Sequence, residues 1–172
     1  LAEVARRRRL PIILMHMRGT PRNMQKRPFA RDVLRDVTVG LRDAVARARK
    51  AGLKRDQIVL DPGIGFGKSF RQNYELLAHL DQLARLGYPL LVGTSRKTFI
   101  GATLAQALLP VPASHGGKKG GEIPIAPPSE RIWGTAATVT AAILGGAHIV
   151  RMHDVAEMVQ VARTADAVLG AS

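Results

Sequence analysis

Short apolar runs alternate along the chain with longer segments in which apolar residues recur every three or four positions. The short runs are four to six residues long and are bounded by proline, glycine or polar residues, as is typical of strands buried in a parallel sheet. The pattern therefore predicts four strands: Pro11–His16, Gln57–Asp61, Pro89–Thr94 and His148–His153.

The segments around these runs have the spacing of helices with one apolar face. Leu1–Leu10 has the character of the tail of a helix already under way, from which we expect a fragment of a longer protein. A last helix is expected to be N-capped by Asp154, with Val155, Met158, Val159 and Ala162 facing inward. The other predicted helices are Phe29–Lys50, Gln72–Leu86, Lys97–Leu109 and Glu130–Ala142.

A strand followed by a helix, four times over, predicts an α/β fold with parallel strands and right-handed crossovers. Four such units fit either a small open sheet or half of a (β/α)8 TIM barrel, which usually needs about 250 residues. Polar residues gather at the ends of the strands, which favours the barrel half. We expect one partial domain over residues 1–172, with a flexible Gly/Pro/Lys-rich insertion at 110–129.

Composition narrows the classes of protein. The apolar fraction of 46% excludes a disordered chain, and the lack of cysteine excludes disulfides and thiolate metal sites. The net charge of +13 would suit nucleic acid, but the chain has only one Trp, two Tyr and four Phe to stack on bases. We therefore expect solvated helix faces and an anionic small-molecule substrate, with neither nucleic acid nor membrane as a partner.

The segment Ile58–Ser69, with the sequence IVLDPGIGFGKS, carries the strongest chemical signal. Asp61 ends a strand, where its carboxylate could accept two N–H bonds from a flat heterocycle or could merely cap a turn before Pro62. The segment nearly matches a phosphate-binding P-loop, but proline replaces the first glycine and has no N–H to offer. Lys68 is interpreted as a solvated lysine.

Cationic and hydroxyl side chains follow the other strands. The run from Gly93 to Thr98 (GTSRKT) ends at a helix start and contains Lys97, so it could bind an anion. Arg151 and His153 are two residues apart and should project from one face of a strand, an arrangement suited to a diphosphate. His16 alone would be structural.

Five ordered blocks together resemble the dihydropteroate synthases: LMHMRGTPRNMQ, DPGIGFGKS, GTSRKTFIG, ERIWGTAATVTAAILGGA and IVRMHD. Members of this family join a pterin to para-aminobenzoate on a (β/α)8 barrel, and this chain is similar to strands five to eight. The SRKTFIG form and the insertion look more fungal than bacterial, which implies a domain of a multifunctional folate protein.

The resemblance implies a pterin site. Asp61 would accept N–H bonds from the pterin, and Lys97 would donate to its carbonyl and to a ring nitrogen. The remaining pterin-binding residues that the resemblance implies are Met15, Phe66, Gly65 and Gly93.

The resemblance also implies sites for the other two reacting groups. Arg151 and His153 would hold the diphosphate, while Ser95, Arg96 and Thr98 would line the aminobenzoate end. Mg²⁺ would accompany the diphosphate, with its ligand in the first half of the barrel and none in this half. The implied protein is a cytoplasmic homodimer, or mitochondrial if fungal.

Two other functions compete with this one. A methyltransferase with a pterin-binding barrel shares the carboxylate, although the SRK and RMHD motifs argue against it. The second competing interpretation is a truncated half-barrel without catalytic activity. Its open sheet edges would favour association with other chains.

Overall fold

Four short parallel strands follow one another in the fold. The computed structural model describes residues 1–19, 31–107 and 124–171. The strands are β1 (Ile12–Met15), β2 (Ile58–Asp61), β3 (Leu91–Val92) and β4 (Ile149–Val150). β1 pairs with β2 and β3 with β4, and a parallel bridge between Leu60 and Leu90 joins the two pairs. The predicted order of parallel strands is confirmed, although β3 and β4 are shorter than expected.

Helices occupy most of the described residues between the strands. Those described are α1 (Ala2–Arg8), α2 (Val33–Lys50), α3 (Phe70–Ala78), α4 (Leu80–Ala84), α5 (Thr98–Ala107), α6 (Ile132–Leu144) and α7 (Val155–Leu169), with 3-10 turns at Arg55–Gln57 and Pro128–Glu130. The prediction of one helix over Gln72–Leu86 is wrong, because the backbone of His79 (φ −123°, ψ 28°) leaves helical geometry and separates α3 from α4. The helix expected near the N-terminus is confirmed.

Two apolar clusters hold these elements together. The larger one places the buried face of α2 over the strands, with Leu41 and Leu60 fully buried, and it continues through α3 and α4 to Phe99 at the start of α5. The smaller one lies between α6 and α7 and includes Val139 and Met158. Helices therefore cover the strands, and the strand ends are left to carry polar residues.

The last helix departs from its prediction in two ways. Val155 and Val159 are 60% and 41% exposed, because α7 packs mainly on α6 and turns only one narrow stripe inward. Asp154 does occupy the N-cap position, but its side chain makes no capping hydrogen bond. That carboxylate pairs with Arg96 instead.

Most of the predicted insertion at 110–129 lies outside the described residues, as do the ends of two predicted helices at Phe29 and Leu109. Its last residues are described, and they pack on α5: Ala126 is 6% exposed and its N–H donates to the carbonyl of Gly101 at 3.0 Å.

None of the described helices combines the length and the apolar character that a bilayer crossing requires.

Candidate active site

Two hollows flank Lys97 at the carboxyl ends of the strands. The larger, of about 520 Å³, lies between the loop after β2 and the start of α5. The smaller, of about 130 Å³, lies between the loops after β3 and β4 and is lined by Gly93, Ser95, Lys97, Arg151, Met152 and His153. Carboxyl ends of parallel strands are where α/β folds bind ligands. The predicted site residues from three loops therefore meet in one place.

Asp61 lies at the end of β2 and is only 3% exposed. Its Oδ1 accepts the backbone N–H of Gly63 at 2.7 Å, so the turn contact that the sequence left open is present. Burial raises the pKa of this carboxyl group. The Gly63 hydrogen bond and the charges of Arg151, Lys97 and Lys68 oppose that rise.

Lys97 reaches across the site from the loop before α5. Its ammonium donates to the carbonyl of Ile64 and lies 4.4 Å from the centre of the Phe66 ring, a cation–π contact. Burial lowers the pKa of Lys97 to about 8, and the Asp61 charge opposes the change. Gly65 makes room for this side chain, since a Cβ there would lie 2.9 Å from Lys97 Cδ.

The smaller hollow brings Arg151 and His153 together with Ser95. Arg151 and His153 are exposed and lie beyond the end of β4 at Val150. The prediction that these two residues sit within a strand is therefore wrong. The Ser95 hydroxyl oxygen accepts the His153 backbone N–H at 3.1 Å and lies 2.8 Å from Nδ1 of the same ring. A Cβ on Gly93 would lie 3.3 Å from Arg151 Nη2, so this glycine allows the guanidinium to lie close.

Arg96 has left-handed backbone geometry, with φ of 55°. Its guanidinium forms two hydrogen bonds to Asp154, and its backbone N–H donates to Thr135 Oγ1 at 3.1 Å. The pKa of Asp154 is lowered, chiefly by the Arg96 hydrogen bond. The buried Arg131 donates to the Arg96 carbonyl at 2.6 Å, so this turn is fixed from three directions.

The remaining predicted residues lie at the rim. Met15 ends β1 opposite Asp61 and is 37% exposed, while Thr98 is the exposed first residue of α5. Phe66 is half-buried beneath Lys97. The structure thus places the predicted residues within three adjoining loops and the end of β1, and their contacts with ligands stay predictions.

Sequence reasoning missed several residues that build the site. The interpretation of Lys68 as solvated is wrong: its side chain is buried, with 4% exposure, and its ammonium lies 3.2 Å from Nδ1 of His16. Asn73 is also buried and accepts the Gly65 N–H at 2.6 Å. The sequence did contain one indication of these roles: Lys68 and Asn73 stand beside a glycine-rich turn, and buried backbone groups in such a turn need hydrogen-bond partners.

The described residues do not form a metal centre by themselves. No three His, Cys, Asp or Glu side chains lie together as ligands in the part of the chain that the structure describes. The lining of the smaller hollow includes two cations and no carboxylate, so it suits an anion and offers no carboxylate ligand to a metal ion. We therefore assign no step to a metal held by these residues.

Comparison with known proteins places this geometry in a family. Residues 1–153 match the family described as pterin binding enzyme. The chain is 45% identical to dihydropteroate synthase of Synechocystis sp., over 95% of this chain and 50% of the relative. It is 39% identical to dihydropteroate synthase of Escherichia coli, over 98% of this chain and 53% of the relative.

A solved structure agrees. The Yersinia pestis dihydropteroate synthase with a sulfonamide drug complex has a TM-score of 0.84 and 36% identity, over 98% of this chain and 54% of that one. The resemblance inferred from the five sequence blocks is confirmed, and the fold is of the α/β TIM-barrel type. The chain spans about half the length of the curated relatives it matches. The fungal affinity of the SRKTFIG form stays a prediction.

Proposed function

The chain belongs to the pterin-binding enzymes, and from this premise we propose that it is part of a dihydropteroate synthase. The proposed reaction condenses 6-hydroxymethyl-7,8-dihydropterin diphosphate with para-aminobenzoate and releases diphosphate, a step of folate biosynthesis. One observation carries the proposal most directly. The buried carboxylate of Asp61 lies among the cations Lys68, Lys97 and Arg151.

The pterin end of the proposed site is built around Asp61. An ionised carboxylate only accepts hydrogen bonds, so it matches the N–H groups on one edge of a pterin ring. The ammonium of Lys97 would donate to the pterin carbonyl and a ring nitrogen. Phe66, Met15, Gly65 and Gly93 supply apolar and open surface around that position, which suits a flat ring.

The diphosphate end of the proposed site is the smaller hollow. The Ser95 hydroxyl already accepts the His153 backbone N–H, so its own proton is available for Nδ1 of that ring. This favours the tautomer in which Nε2 carries the hydrogen, which it would donate to a bound diphosphate. Arg151 adds a guanidinium suited to phosphate oxygens. Together these two side chains would hold the leaving diphosphate.

The proposed chemistry needs stabilisation of charge more than proton transfer. The lone pair of the aminobenzoate nitrogen forms a bond to the pterin methylene carbon, and the carbon–oxygen bond to diphosphate breaks. The diphosphate keeps that electron pair, and the nitrogen loses a proton to solvent. Arg151 and His153 would stabilise the charge that develops on the diphosphate, while Lys97 and Asp61 fix the pterin.

The aminobenzoate end would be lined by Ser95, Arg96 and Thr98. Because the Arg96 guanidinium is occupied by Asp154, its proposed contribution comes from the shape of its turn. The N-terminus of α5 would face the aminobenzoate carboxylate, because the positive end of a helix dipole interacts favourably with an anion.

Several broader assignments belong to the same proposal. We assign the chain to strands five to eight of the barrel, as one partial domain over 1–172 that includes the insertion at 110–129. We also propose a homodimeric parent protein in the cytoplasm, or in mitochondria if it is fungal. Mg²⁺ would accompany the diphosphate, with ligands from outside the described residues.

The Asp61→Asn variant tests the proposed function. A hydrogen bond to a charged group contributes about 1.5–3 kcal/mol, and the amide would also place a donor against a pterin donor. In the natural protein that contains this chain, we expect affinity for 6-hydroxymethylpterin to fall at least about tenfold. Isothermal titration calorimetry measures it directly.

The control is Asp56→Asn, which makes the same change at an exposed position in the 3-10 turn before β2. It should bind the pterin as the wild type does. Unchanged pterin affinity in Asp61→Asn would remove that carboxylate from the site, and absence of pterin binding by the wild type would overturn the proposed function.

A further inference from the structure

The ammonium of Lys68 is buried beneath the loop that carries Phe66, and the chemistry proposed above does not use it. Its Nζ donates to the carbonyl of Gly63 at 2.9 Å and to the carbonyl of Phe66 at 3.0 Å. It also lies 3.2 Å from Nδ1 of His16. The carbonyl of His16 lies 3.4 Å from the same Nζ, so four acceptors from two loops converge on one charged donor.

These contacts reach the binding residues through one further step. Gly63, whose carbonyl Lys68 holds, donates its own N–H to Asp61. Phe66, whose carbonyl Lys68 also holds, carries the ring under Lys97. Lys68 thus fixes the backbone on both sides of Gly65, at the floor of the larger hollow.

We propose that Lys68 is a positioning residue: it clamps the turn over residues 63–67 to His16 at the end of β1, and so sets the orientation of Asp61 and Phe66 for the pterin. The role of these two side chains rests on the proposed function, whereas the clamp itself does not. No contact between Lys68 and the reacting atoms is required.

The electrostatic setting agrees with a charged clamp. Burial lowers the pKa of Lys68 to about 8, so the ammonium is mostly charged at neutral pH, and burial also lowers the pKa of His16 to about 4, so that ring is a neutral acceptor. The other charged groups facing Lys68 are Asp61, Asp36, Lys97 and Arg18. A buried charge with a lowered pKa is costly for stability, which is typical of groups that serve a site.

Hydrogen exchange tests the clamp in the natural protein that contains this chain. The backbone N–H groups of Gly63, Gly65 and Phe66 are all hydrogen-bonded and report on the turn. In Lys68→Met we expect exchange over residues 63–67 to accelerate at least about tenfold, with the α2 amides unchanged. Lys50→Met, which removes an exposed charge at the end of α2, should change neither region.

Affinity for 6-hydroxymethylpterin, measured on the same variants, tests whether the clamp supports pterin binding. Lys68→Met should weaken it at least about tenfold, and Lys68→Arg should restore both exchange protection and affinity to within about threefold of the wild type. Absence of pterin binding by the wild type would overturn the proposed function, while hydrogen exchange would still decide the clamp.

The pH dependence keeps the proposal testable if Lys68→Met does not fold. After correction for intrinsic exchange rates, the wild type should lose protection over residues 63–67 as pH rises through about 8, because Lys68 then loses its proton. Lys68→Arg stays charged and should keep its protection. Equal protection of wild type and Lys68→Arg from pH 7 to 9.5, or an unchanged turn in a folded Lys68→Met, would overturn the proposal.

Discussion

Residue 63 shows how closely the backbone of the site is packed. Gly63 has a φ of 67°, and a Cβ there would lie 1.8 Å from the carbonyl oxygen of His16. The backbone of Gly63 and that of His16 lie just after β2 and β1, so they cannot move apart to admit a Cβ unless β1 moves away from β2. The position therefore requires glycine for its conformation and for its space.

Gly63→Ala should lower the free energy of unfolding by more than the strain of a left-handed alanine, because the new Cβ would also collide with the His16 carbonyl oxygen. The matched control is Gly52→Ala, at φ of 86°, where the three atoms nearest the new Cβ belong to the flexible side chain of Arg6. The control should cost about 1–2 kcal/mol in free energy of unfolding, and Gly63→Ala clearly more. Urea denaturation of both variants measures the difference, and equal losses would contradict this account of the loop.

At the scale of elements, α3 supports the site through its first turn. Ser69 and Gln72 form a capping box, with the Gln72 N–H donating to Ser69 Oγ at 3.2 Å and the Ser69 N–H to Gln72 Oε1 at 3.0 Å. The same turn presents Asn73, which accepts the Gly65 N–H and donates to the Ser69 carbonyl. The helix start and the pocket turn are therefore one hydrogen-bonded unit.

Ser69→Ala should affect both stability and binding. Loss of an N-cap costs about 0.5–2 kcal/mol, and fraying of the first turn would release Asn73 from Gly65, so pterin affinity should fall at least about threefold. Asp32→Ala removes the N-cap of α2, whose carboxylate accepts the Arg35 N–H at 2.9 Å. It should lose similar stability in thermal denaturation and keep its affinity in calorimetry. Equal pterin affinities in the two variants would show that the first turn of α3 does not support the site.

At the scale of the whole molecule, the order of parallel strands and the meeting of their ends could be predicted from sequence. Apolar runs and helical periods are local signals, and the placement of Asp61 at a strand end and of Lys97 just before a helix follows from them. Arg151 and His153 were expected within a strand and lie just beyond it. The environment of Lys68 could not be predicted, because its four acceptors are three backbone carbonyls and a ring nitrogen, and two of the four belong to His16 at another strand end. Long-range hydrogen bonds of this kind leave no periodic trace in a sequence.

The break at His79 and the exposure of Val159 were missed for a related reason. Apolar periodicity shows which positions could be buried, whereas the neighbouring elements determine which of them are. In α7 the second cluster covers Met158 and leaves Val159 at the surface. The ion pair between Asp154 and Arg96 likewise joins two loops that are distant in sequence.

Product formation by the natural protein that contains this chain tests whether the protein is a dihydropteroate synthase. The protein is incubated with 6-hydroxymethyl-7,8-dihydropterin diphosphate and para-aminobenzoate, and the products are identified by mass spectrometry. We predict dihydropteroate and diphosphate in equal amounts, and neither when aminobenzoate is omitted. Absence of both products, together with methyl transfer from a methylated folate, would contradict the synthase assignment and favour a pterin-binding methyltransferase.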